Sequence, residues 1–339
     1  MKYLIYIILA LPLIFCGNSD PLLTNTEAEI ITGKLAEKYA EVISSEALKV
    51  HLYEVASDEF EGRATGEPGQ KKAADYLKNF YIEHHIASPL GGTDYFQDIP
   101  TEALKPGIKP SENVVAFIEG AEHPEEIIVL SAHFDHLGST DEDIFNGADD
   151  DGSGTVALLK IAEAFQNAKN NGVGPKRSIL LLHVTGEERG LLGSKYYVNH
   201  PIFPLKNTVA NLNIDMIGRV DDAHTKTPDF VYLIGSDKLS SELHEISENI
   251  NKKFTNLLLD YTYNDDNDPN RYYYRSDHYN FAKNNIPIIF YFNGTHQDYH
   301  RPSDTPDKIN YDVLAKRTQL VFYTAWELAN RTEKIIVDK

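Results

Sequence analysis

The sequence predicts an α/β fold: a single domain in which a mixed, mostly parallel β-sheet is flanked by helices on both faces. Two patterns predict it. Six short runs of β-branched and other apolar residues alternate with segments whose apolar residues recur at helical spacing. Those runs are apolar nearly throughout instead of alternating, as befits central strands buried on both faces. The composition agrees, with 42% hydrophobic and 24% charged residues in a chain of 339. Such proportions exclude a collagen, a coiled coil or a wholly disordered chain.

In chain order, residues 1–16 read as an export segment. Lys2 precedes the apolar stretch 3–15, which falls short of the roughly 20 apolar residues a spanning helix needs. The segment ends at Cys16, the only cysteine, so neither a disulfide framework nor cysteine-bound zinc is available. Leu13 and Cys16 resemble the lipobox of bacterial lipoproteins, in which the cysteine is acylated, although Phe15 stands where a small residue is usual. The expectation is an exported protein, periplasmic or attached to a cell-envelope membrane through lipidated Cys16, with plain secretion as the alternative. Residues 17–25 read as a tether and 26–339 as the folded domain.

Within that domain Ile31, Leu35, Tyr39, Val42 and Ile43 recur at helical spacing across 27–53. Ala73, Tyr76, Leu77 and Phe80 line one side of a helix expected over 68–83. Strands are expected at 114–118, 127–130, 179–184, 209–214, 230–234 and 286–292, with helices at 155–165, 238–254 and 312–331. In open α/β sheets the functional residues gather on loops at the carboxyl ends of strands.

Those ends are loaded with carboxylates and imidazoles. After the second strand comes His133-Phe134-Asp135-His136, after the third Gly186-Glu187-Glu188, after the fourth Asp215-Met216, and after the last His296-Gln297-Asp298-Tyr299-His300. A further cluster, Asp149-Asp150-Asp151-Gly152-Ser153-Gly154, precedes the 155–165 helix. Carboxylates crowded at a partly desolvated strand end repel one another. No lysine or arginine lies inside four of these motifs and Arg219 only follows the fifth, so a divalent cation is the economical counter-charge, and mixed imidazole–carboxylate ligation favours zinc. The net charge of −19 argues against a nucleic-acid partner, which needs a basic footprint.

The ordered series from His133 to Thr305 resembles the M28 family of di-zinc aminopeptidases, and Asp58-Glu59-Phe60-Glu61-Gly62-Arg63 is similar to a segment those enzymes carry near their start. The resemblance implies a zinc-exopeptidase-like fold and two zinc ions per chain. His133 and Asp215 would hold one, Glu188 and His300 the other, and Asp150 would bridge them. It implies that Glu187 is the general base acting on a hydroxide shared by the metals. Asp135 would orient the His133 imidazole, and Tyr299 would donate its hydroxyl to the developing oxyanion. His136, Asp149 and Asp151 are expected to be structural, and Ser276-Asp277-His278 to pack near the site. Tyr272-Tyr273-Tyr274 either lines a pocket or packs.

The function so implied is an exported zinc aminopeptidase that removes the first residue from peptides with a free N-terminus. The alternatives are a glutaminyl cyclase of similar fold with one zinc, a carboxypeptidase of the same family, and a non-catalytic binding module. Other hydrolase chemistries lack their motifs. There is no His-Glu-x-x-His, no Gly-x-Ser-x-Gly elbow and no Gly-rich phosphate loop.

Overall fold

The computed structural model describes residues 25–339. The export segment with Cys16, and all of the tether but Asn25, lie outside the described residues. Eight helices run Asn25–Ala40 (α1), Ser45–Val55 (α2), Pro68–Glu83 (α3), Gly154–Asn170 (α4), Leu192–Asn199 (α5), Ser241–Ile250 (α6), His278–Ala282 (α7) and Tyr311–Asn330 (α8). Among the described residues no helix is long and apolar enough to cross a membrane. The strands are Phe96–Ile99 (β1), Ser111–Ile118 (β2), His123–His133 (β3), Gly138–Ser139 (β4), Ile144–Phe145 (β5), Arg177–Val184 (β6), Thr208–Ile214 (β7), Phe230–Ile234 (β8), Leu258–Asp260 (β9) and Ile288–Phe292 (β10).

Eight of these strands form one sheet in the order β1-β2-β6-β3-β7-β10-β8-β9. β6, β3, β7 and β10 are mutually parallel, whereas β2 joins β6 and β8 joins β10 antiparallel. The sheet is therefore mixed and mostly parallel, as expected. Burial explains the unbroken apolar runs: every residue of β6 is buried, as a strand covered on both faces requires. Ile127 and Val129 of β3 pack with Leu180 and Leu182 of β6 against Tyr197 of α5 and Phe281 of α7. Helices α4 and α8 pack on the same central strands, and strand alternation places them on the other face.

The helical spacing across 27–53 is divided in two. Ser44, in extended conformation, caps α2 by accepting from the Ala47 N–H at 3.2 Å, and a polar cap of that kind starts a new helix instead of continuing the old one. Similarly, the helix expected at 238–254 begins only after Ser240, whose hydroxyl accepts from Leu243 N–H at 3.1 Å. The edge strands β1 and β9 and the short helices α5 and α7 had no sequence signal, being too short for a period to declare itself.

Candidate metal centre and active-site cleft

The four parallel strands position the site. β3 ends at His133, β6 at Val184 shortly before Glu187, β7 at Ile214 immediately before Asp215, and β10 at Phe292 ahead of the loop to His300. Parallel neighbours deliver their carboxyl ends to one edge of the sheet, so residues far apart in sequence converge there. Asp150 comes from the turn Ala148–Ser153 that leads into α4. Gly147, with φ of 52°, starts that turn, and a Cβ there would come within 2.2 Å of the Asp150 carbonyl oxygen.

Asp150 is central, and its two oxygens face different partners. Oδ1 lies 3.2 Å from His133 Nε2, itself 3.6 Å from Asp215 Oδ1. Oδ2 lies 3.0 Å from His300 Nε2, itself 3.3 Å from Glu188 Oε2. Zinc–ligand bonds of about 2.0–2.1 Å place two ligand atoms of a tetrahedral ion roughly 3.3–3.4 Å apart, and these separations fit that spacing. The donor atoms are also prepared. His133 Nδ1–H donates to the main-chain carbonyl of Asp135 at 3.0 Å, which leaves the Nε2 lone pair facing Asp150 and Asp215. His133 Nε2 and Glu188 Oε1 are buried without a hydrogen-bond partner. Buried polar atoms are rarely left so unless something else occupies them. The residue types, spacing and orphaned atoms thus suit two cations sharing Asp150.

The electrostatics say the same. Burial by itself would raise the Asp150 carboxyl, yet His136, His133 and His300 hold it well below the ordinary carboxylate range. Burial opposes charge on His300, but Asp150 and Glu188 push its imidazole up to about 10. The pocket stabilises positive charge between its carboxylates. Part of that charge comes from Arg63, which the sequence motif left without a role. Its guanidinium is fully buried and donates to the carbonyls of Val55 at 2.8 Å, Phe134 at 2.8 Å, Asn146 at 2.7 Å and Gly147 at 2.9 Å. It thereby ties the His133 loop to the Asp150 loop from behind.

Asp135 differs from expectation in the atom it uses. Its carbonyl orients His133, while its carboxylate is 3.8 Å from that ring and instead accepts from Thr65 Oγ1 at 2.7 Å and from the Glu187 N–H at 3.1 Å. The carboxylate therefore fixes the backbone of the Glu187 loop. Asp149 accepts from Gly218 N–H at 2.6 Å. Asp151 approaches His133 and Asp215 as well; its Oδ1 is committed to the N–H groups of Gly154 and Met216 at 2.9 and 3.0 Å, and its Oδ2 is buried without a hydrogen-bond partner. Both act as ties between loops. Asp304, not singled out in the sequence, grips the N–H groups of Asp149 and Asp150 at 3.0 and 3.2 Å. His278 donates Nε2–H to the Tyr273 carbonyl at 2.8 Å and stacks on Phe290, so it packs as expected. His136 does not: its Nδ1 lies 2.9 Å from Glu188 Oε1, inside the cluster.

A cleft opens over these groups, with Glu187, Asp215, Tyr299 and His300 on its lining. The Glu187 carboxyl makes no hydrogen bond or ion pair among the described residues. Burial pushes it well above the ordinary range, against His133 and with the help of Asp215, Asp277 and Glu188. Burial, reinforced by Asp150, Asp215 and Glu188, also raises the Tyr299 phenol and keeps it protonated. Its ring stacks on His300 at 3.8 Å. Met216, Tyr272, Phe290 and Phe292 make the apolar part of the lining and belong to a cluster continuous with the core. Of the three consecutive tyrosines, Tyr272 lines the cleft.

Residues 113–325 match the profile of peptidase family M28, a span that contains every residue of the cluster. The chain belongs to this family. It is 25% identical over 316 residues to leucine aminopeptidase 2 of Trichophyton rubrum, covering 79% of this chain and 60% of that protein. The M28 chain thus spans about three fifths of the length of such curated relatives. Among solved structures it resembles the LapA aminopeptidase of Legionella pneumophila, with a TM-score of 0.67 at 22% identity over 98% of this chain and 81% of that one. It also resembles a glutaminyl cyclase of Bacteroides thetaiotaomicron, with a TM-score of 0.64 at 16% identity over 84% and 98% of the two chains. At these identities the likeness is one of fold, which peptidase and cyclase share.

Proposed function

We propose that this M28 chain is a zinc aminopeptidase that hydrolyses the first peptide bond of substrates with a free N-terminus. The observation that carries the reading is Asp150, whose two carboxylate oxygens divide between a His133–Asp215 pair and a His300–Glu188 pair, with Glu187 uncommitted on the same cleft. These five residues would hold two zinc ions, which would supply Lewis acidity and make a bound water acidic enough to lose a proton near neutral pH.

The chain's own residues do the rest. Glu187 accepts a proton from the attacking water at its carboxylate and passes it to the nitrogen of the leaving amine, as the peptide C–N bond breaks and the water oxygen joins the carbonyl carbon. A carboxyl with a raised affinity for protons suits both halves of that transfer. Tyr299 keeps its phenolic proton and donates it as a hydrogen bond to the carbonyl oxygen as negative charge gathers there. Asp135 holds Glu187 in place through its backbone N–H. The Met216, Tyr272, Phe290 and Phe292 wall takes an apolar first side chain and excludes water from the reacting bond. Export, with acylation of Cys16, is part of the same proposal; labelled palmitate should be incorporated by the full chain and not by a Cys16→Ala chain.

The deciding experiment is a panel of aminoacyl p-nitroanilides, free and N-acetylated, assayed before and after removal of metal with a chelator. Release from free leucyl and phenylalanyl substrates, lost on chelation and restored by zinc, is the expected result. Equal cleavage of acetylated substrates, or activity indifferent to the chelator, would refute the reading. Cyclisation of N-terminal glutamine without hydrolysis of the other substrates would favour the cyclase instead.

A further inference from the structure

His136 is placed unlike the other buried imidazoles. The other fully buried imidazoles outside the cluster are hydrogen-bonded, His278 to a backbone carbonyl at 2.8 Å and His183 to the Tyr81 hydroxyl at 2.6 Å. His136 is equally buried, yet neither ring nitrogen has a hydrogen-bond partner. Its placement is rigid. The backbone N–H donates to the Arg63 carbonyl at 3.1 Å, and the ring lies so close to Gly147 that a Cβ there would come within 2.6 Å of Cδ2. From this fixed position Nδ1 stands 2.9 Å from Glu188 Oε1 and 3.8 Å from Asp150 Oδ2.

Leaving both nitrogens of a buried ring unpaired is costly, and the cost disappears if one of them has a cation as its partner. Two ligand atoms on one zinc stand at most about 4.2 Å apart, twice a zinc–nitrogen bond of roughly 2.1 Å. Both separations lie within that limit. Glu188 Oε1, the atom nearest the ring, is itself buried and unpartnered, so donor and acceptor face each other without a hydrogen bond between them.

We infer that His136 is an additional metal ligand, donating through Nδ1 on the Glu188 side of the cluster. The two halves then differ. The Glu188 side draws on Asp150, Glu188, His136 and His300, while the other draws on Asp150, His133 and Asp215, with Asp151 close by. The inference rests on the two-zinc reading above.

X-ray absorption at the zinc edge, on the full chain loaded with two zinc equivalents, tests it directly. Multiple scattering counts imidazoles. Three histidines shared by two ions give an average of about 1.5 imidazoles per zinc, whereas His133 and His300 alone give about one. A value near 1.5 that falls to about one in His136→Leu is expected. With that change the zinc of the Glu188 side should weaken by about 100-fold or more in competition with a chromogenic chelator, since the loss of a group that merely supports a ligand already costs 10–100-fold. A wild-type value near one, with two zinc ions bound, overturns the ligation and leaves the aminopeptidase reading intact; failure to bind zinc at all overturns both. Should His136→Leu fail to fold, His136→Gln and the wild-type spectrum decide the matter.

Discussion

The two imidazoles that flank Asp150 are held in opposite ways. His133 closes a central strand, its side chain is 1% exposed, and its tautomer is set by a backbone carbonyl. The side chain of His300 is 35% exposed, and the residue rides on the loop after β10 in a left-handed conformation with φ of 55°, which a non-glycine residue adopts only where its surroundings insist. The sheet itself places the first. The second depends on local anchors: Asp298 pairs with Arg219 at 2.8 Å and with Lys308 at 2.6 Å, and Asp304 holds the loop to the Asp149 and Asp150 amides. One half of the centre is thus a product of global folding and the other of a tethered loop, and the two should respond to different perturbations.

The largest effect is expected at Glu187. Glu187→Gln should lower kcat by about 10³-fold or more, the upper part of the range for a general acid–base, while elemental analysis still finds two zinc ions. Near-normal turnover would remove Glu187 from the chemistry. Next comes Arg63→Met, which removes a donor from four carbonyls, of which Gly147 alone keeps another, the Gly152 N–H. A loss of about 3–5 kcal/mol in urea unfolding is expected, with the His133 half failing along with the fold.

Acid separates imidazoles that face carboxylates from those that do not. Burial, with nothing to offset it at His183 and only the Tyr273 carbonyl opposing it at His278, pushes both rings down to about 3. Above pH 6.5 these rings are neutral in both folded and unfolded chains. As pH falls from 6.5 towards 3, the unfolded chain takes up protons that the folded one refuses, so stability drops through that window. His183→Gln, which keeps a partner for Tyr81 but does not titrate, should flatten the acid limb of Tm against pH; an unchanged limb would show that the ring is protonated in the fold.

Two smaller changes probe the loop alone. His300→Ala should weaken the zinc on the Glu188 side by about 100-fold, roughly 2.7 kcal/mol, and spare the other. Asp298→Asn should loosen the same ion by about tenfold, read by chelator competition. Equal loosening of both ions in either variant would erase the distinction between sheet-held and loop-held halves.

Much of this architecture could be read from residue order. Strands such as β8 and helices such as α3 carry enough apolar residues in a regular period to announce themselves, and the carboxyl ends of β3, β6 and β7 carry His133, Glu187, Glu188 and Asp215. Elements of few residues, such as β9 and α7, could not, because a period needs length. Polar caps misled in the other direction: Ser44 divides one apparent helix, and Ser240 delays another. Asp135 lies against His133 through its main-chain carbonyl, and a sequence names a residue and not the atom of it that makes the contact. For His136 the sequence predicts a structural role, since adjacency in the chain to His133 says nothing about which way a ring turns.

Composition and motif order were thus sufficient for the fold class, the family resemblance and the kinds of side chain at the centre, since periodicity and residue chemistry are local properties. Folding alone settled that Asp150 splits its oxygens between two pairs, that His136 enters the cluster, and that Arg63 reaches carbonyls 71 and 83 residues away. Those facts are distances between atoms remote along the chain, and the packing of a parallel sheet brings them together.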